Sequence, residues 1–147
     1  MKMILIKIMV CMLLIPPIFS FTTLANPGPE LKIHITGSLP LPVYSKVVGA
    51  AISNIGDEPA YNISYIMRMT GGIGLTINET YEGLETEILP GNALGIGMSN
   101  TYGFGPIFIS VAVSASNAES VSATAKGLQM GGFTWIPLSW VYLLIKS

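Results

Sequence analysis

The chain has one cysteine, one histidine and charged residues at only 10% of its 147 positions. Each scarcity closes off a class of function. Cys11 lies in an N-terminal stretch expected to be removed, so the remainder must hold together without disulfides. A lipid-attachment reading fails because Val10, not a small residue, precedes that cysteine. His34 has no second histidine or cysteine beyond residue 25 with which to share a zinc ion. The few cations beyond that point, Lys32, Lys46, Arg68, Lys126 and Lys146, are scattered and outnumbered by the eight carboxylates. No basic stripe exists to neutralise phosphates, which argues against nucleic acid as a partner. The glycine-containing stretches GGIG and GFG lack the Lys-Ser/Thr ending of a phosphate loop. No Ser-His-Asp set can be proposed from spacing. The expectation is a protein with no catalytic residues, no cofactor and no metal site.

What is present begins with an export signal. Lys2 and Lys7 precede an uncharged apolar run over residues 8–21, followed by Thr23-Leu24-Ala25 with small residues three and one positions before a cut. That layout is a secretory signal peptide over 1–25. The run is shorter than the roughly 20 residues of a membrane span, and Pro16-Pro17 interrupts it. The chain is therefore expected outside the cell, secreted or at the cell surface.

From residue 31 to 126 helix signals are nearly absent and apolar residues recur with period two. Val48, Ala50 and Ile52 alternate with smaller neighbours and lead into Asn54. Ile63, Tyr65, Met67 and Met69 alternate likewise, as do Ile107, Ile109, Val111, Val113 and Ala115, and then Val121, Ala123 and Ala125. Each segment has one face for a core and one for water. Turn residues separate them: Gly56, Asp57 and Pro59; Gly71-Gly72; Pro90-Gly91-Asn92; Ser116-Asn117. The spacing predicts strands near 31–36, 44–54, 61–69, 73–80, 84–89, 93–100, 106–115, 119–127 and 132–144. The fold class is an all-β antiparallel β-sandwich of about seven to nine strands, occupying residues 26–130. Residues 131–147 form an apolar C-terminal segment, read as a last strand or a short membrane anchor. Gly131-Gly132 and Pro137 favour the strand, because they leave no unbroken helix of spanning length.

The succession ISNIGDEPAYNISYIM, GGIGLTINETYEG, ILPG, GFGPIFISVAVSA and VSATAKG resembles the immunoglobulin-like surface domains of archaea and bacteria, the cell-adhesion-related CARDB domains being the nearest named group. The likeness covers residues 44–134. It implies that the sandwich is immunoglobulin-like and displayed outside the cell, with no catalytic residues to carry over. Relatives often place Trp where this chain has Tyr65.

Among candidate sites, Asp57 and Glu58 read as a turn between strands, since an acid/base pair needs unequal environments and a turn exposes both. Asn62-Ile63-Ser64 and Asn78-Glu79-Thr80 are acceptor triplets for N-glycosylation, at Asn62 and Asn78. Glu79, Glu82, Glu85 and Glu87 read as a solvated acidic edge, with calcium as the alternative. Tyr81 and Tyr102 are the aromatics placed in loops, where they would be available for contact. The functional expectation is a non-catalytic structural or adhesive module. Its partners would be other cell-surface proteins or glycans, with membrane attachment through the C-terminal segment. A carbohydrate- or calcium-dependent binding module is the alternative, and a small secreted hydrolase the remoter one.

Overall fold

The computed structural model describes residues 28–38, 47–99 and 101–137. The expected signal peptide at 1–25 and the C-terminal stretch from residue 138 lie outside these described residues. Eight strands form in chain order: β1 (Leu31–Thr36), β2 (Val47–Asn54), β3 (Ala60–Gly71), β4 (Ile77–Ile88), β5 (Ala93–Ser99), β6 (Gly103–Ala115), β7 (Ala118–Gly131) and β8 (Phe133–Trp135). They make a three-stranded sheet of order β1-β2-β5 and a five-stranded sheet of order β4-β3-β6-β7-β8, antiparallel throughout. The connections β2–β3, β4–β5 and β5–β6 cross between the sheets, so the chain closes a sandwich.

The period-two segments supply the core. Val48 and Ile52 from β2, Ile63, Met67 and Met69 from β3, and Ile109, Val111 and Val113 from β6 are all buried between the sheets. Fully burying such a side chain contributes about 1.5–3 kcal/mol. Tyr65, Val121, Ala123 and Ala125 are half-buried against the same cluster.

Two expectations about strands are corrected. Residues 73–80 and 84–89 are not two strands; residues 77–88 form one continuous β4, with Gly83 in its middle. A side chain at Gly83 would strike the ring of Tyr65, its Cβ 2.2 Å from the Tyr65 hydroxyl oxygen. That glycine marks a close approach inside a strand. Residues 73–75 are a 3-10 turn, because Gly71, Gly72 and Gly74 hold positive φ values that end the strand ladder. Phe133–Trp135 pairs with β7 as a short last strand, and β7 itself runs to Gly131, so the sandwich extends past residue 130.

One end of the sandwich gathers the turns after β2, β4 and β6 and carries Glu30, Asp57, Glu58, Glu87 and Glu119. The other gathers the 3-10 turn, the approach to β6 and the β7–β8 hairpin.

Candidate functional site

The stretch GDEP at residues 56–59 is a structural corner built around Asn54. The alternation that buries Val48, Ala50 and Ile52 also turns Asn54 inward, where it is fully buried. Its side-chain oxygen accepts from the amides of Gly56 (3.1 Å) and Glu30 (3.3 Å), and its nitrogen donates to the carbonyls of Glu58 (2.7 Å) and Ile88 (2.9 Å). Its main chain pairs with Gly91 and Asn92 in the β4–β5 turn. One residue therefore ties three connections together. Asp57 is exposed and accepts from the Gly28 amide at 2.8 Å, holding the chain that leads into β1. Glu58 is exposed as well. Neither carboxyl sits in the enclosed, unequal setting that acid/base chemistry needs.

Strand alternation divides the acidic row of β4. Glu79 and Glu85 share the parity of Ile77, Glu82 points to the opposite face, and Glu87 directly precedes the buried Ile88. Among the described residues, no three His, Cys, Asp or Glu side chains are grouped to hold a metal ion. Tyr81 is not on a loop but in mid-β4, paired with Met67. Its ring lies 6.0 Å from that of Tyr65. Burial, reinforced by the Tyr81 hydroxyl and the Glu85 carboxylate, pushes the Tyr65 phenol above its ordinary value of about 10. The neutral form is favoured in the fold, so this contribution is fully present below pH 10 and is lost as pH rises through the folded-state value. Thermal melts across pH 8–11 should fall more steeply for the parent than for Tyr65→Phe; parallel curves would refute the linkage.

Tyr102 does lie in a loop, directly before β6, and is exposed. Asn62 and Asn78 are both exposed. Asn62 has a left-handed φ of 50°, tolerated by asparagine, and its amide donates to the Ser116 hydroxyl at 3.4 Å.

The outer face of the five-stranded sheet holds a shallow trough of about 900 Å³. Its outward-facing lining is Ser64, Ile66, Glu82, Leu84, Ala112, Ser114, Ser120 and Ser122. The Ser64 and Ser114 hydroxyls bond across β3 and β6 at 2.7 Å. Leu84, opposite Ser64 on the edge strand, is 82% exposed and forms one wall. Small residues on β6 and β7 leave the floor low, and the hydroxyls offer both donors and acceptors. Asn62 lies in the same strand two residues from Ser64, so a glycan there would stand at the rim. Sequence reasoning registered the alternation that produces this face but not the trough. The signal was available in the serines at 64, 110, 114, 120 and 122, which share an outward or near-outward register. Comparison of the chain with family models, with curated proteins and with solved structures finds no match.

Proposed function

We propose that this protein is an exported, non-catalytic module of the cell surface or its surroundings, which makes adhesive contacts through the outer face of its five-stranded sheet. The observation that carries the reading is the trough: an extended, shallow, hydroxyl-lined surface with an apolar wall at Leu84. It suits a strand or chain of another macromolecule laid along it better than an enclosed small molecule. The signal-peptide layout at 1–25 and the resemblance to bacterial and archaeal surface domains support the location. The engagement of Asp57 in the corner supports the absence of chemistry there.

The test has two arms. Cells producing the full chain and a chain ending at Pro137, which retains β8, are fractionated with alkaline washing of membranes. Export of both, with membrane retention of the full chain alone, is the result expected of a tethered module; retention of either in the cytosol refutes export. For contact, Leu84→Asp should lower adhesion of beads carrying the chain to producing cells about tenfold, the scale of a lost apolar contact. Its melting curve should barely move, since the side chain is exposed. Unchanged adhesion removes the trough from the proposal. Adhesion abolished by a chelator or by free sugars would establish the carbohydrate- or calcium-dependent alternative.

A further inference from the structure

Towards the end opposite the acidic corner, the outer face of the same sheet becomes apolar and aromatic. Pairing sets Phe104 beside Met130 and Met130 beside Phe133, and in the next row Pro106 beside Leu128 and Leu128 beside Trp135. Trp135 is 45% exposed, and Tyr102, 74% exposed, meets Phe104 edge to face at 5.9 Å. The 3-10 turn adds Ile73 and Leu75, exposed by 73% and 81%, at the same tip. A Cβ at Gly105 would touch Ile73 at 2.9 Å, so the 3-10 turn packs against the start of β6 beside this face. Contiguous apolar surfaces of this kind mark contact sites.

We propose that this aromatic end seats on a lipid bilayer, with its rings at the headgroup level. Three features select lipid as the occupant. Tyr and Trp with an apolar body and a polar edge partition to the membrane interface, and both border this patch. The charged side chains nearest on the outward face are basic, Lys126 opposite Phe108 and Arg68 opposite Ser110, while Glu30, Asp57, Glu58 and Glu119 belong to the far end. Cations beside an aromatic patch complement anionic headgroups. Finally, residues 138–147, which begin three positions after Trp135 in the sequence, read LSWVYLLIKS and contain no acid. The inference rests on the surface-module reading only for the presence of a bilayer. It gives that module an orientation, with the acidic corner turned away from the membrane.

The full chain carrying Trp140→Phe has Trp135 as its sole tryptophan. It is mixed with phosphatidylcholine vesicles, with and without phosphatidylglycerol, whose acyl chains are brominated near the headgroup. Trp135 emission should shift to the blue and be quenched roughly twofold, as for an interfacial aromatic, more so with the anionic lipid. Phe104→Ser with Met130→Ser in the same background should abolish the quenching while leaving the far-ultraviolet circular dichroism unchanged. Vesicle-bound chain with an unquenched, solvent-like Trp135 would overturn the proposal. So would a dimer in which Trp135 is already shielded from iodide without vesicles, since the occupant would then be a second copy. Lipid quenching of a chain that fractionation finds in the cytosol would sink export and leave this inference standing.

Discussion

Asn54→Ala is expected to lower the unfolding free energy by about 3–5 kcal/mol, read as a fall in the urea midpoint at unchanged slope. The side chain is fully buried and makes four hydrogen bonds, two in each direction. Alanine leaves the Glu58 and Ile88 carbonyls and the Glu30 and Gly56 amides without that partner. A buried polar group so abandoned costs about 1–3 kcal/mol; the partners at Glu30, Gly56 and Glu58 are only part-buried and can turn to water, which keeps the total below the simple sum. A domain of this size has about 5–15 kcal/mol in all, so the variant should be marginal. Asn54→Asp keeps the shape and both acceptor bonds but turns a carboxylate towards two carbonyls. It should be at least as damaging at neutral pH and recover on acidification, when the carboxyl protonates and donates again. A loss below about 1 kcal/mol for the alanine variant, within the range of an ordinary surface change, would remove Asn54 from its central role.

The second large effect is expected at the other end, where Gln129→Ala should cost about 2–4 kcal/mol. Gln129 and Thr134 are fully buried. The Gln129 amide donates to the carbonyls of Gly131 (2.8 Å) and Thr101 (3.2 Å), and its oxygen accepts from the Thr134 hydroxyl. Thr134 in turn exchanges main-chain bonds with Ser38, its amide donating to the Ser38 hydroxyl at 3.0 Å and its carbonyl accepting from the Ser38 amide at 2.9 Å. Alanine opens a cavity and unpairs three groups at once. Because β8 has only three residues, its attachment depends on this cluster. Amide hydrogen exchange at Thr134 should accelerate more than at β3 or β6, and Trp135 emission should shift to the red. Uniform acceleration throughout would mean that Gln129 serves the core generally rather than the hairpin.

Both of these residues were within reach of the sequence. The alternation of Val48, Ala50 and Ile52 places Asn54 on the inward parity, and that of Val121, Ala123 and Ala125 carries through Gly127 to Gln129. A polar residue at an inward position is the signature of a buried hydrogen-bonded centre, but hydrophobic periodicity searches for apolar residues and stops when they end. The strands β2, β3, β6 and β7 were legible because each has one wet and one dry face. Strand β4 was not, because only its terminal Ile77 and Ile88 are buried. As an edge strand overhanging the smaller sheet it is polar on both faces, and Gly83 then resembles a break. Hydrophobicity alone puts Ile73 and Leu75 in a strand, whereas the glycines around them decide the backbone. The trough and the aromatic end depend on which residues face one another across strands, up to 50 positions apart for Ser64 and Ser114, and single-sequence periodicity carries no register between strands.

The bond between Thr134 and Ser38 joins residues 96 positions apart, so the first and last described strands secure one another. Such closure spans a long stretch of chain, and topologies dominated by distant pairings assemble slowly. A chain growing from its N-terminus cannot complete this clasp until residue 134 is available. Until then the segment that follows β1 and the β7–β8 hairpin lack this shared restraint. The timing of this one contact is thus set by the length of chain that separates its two halves.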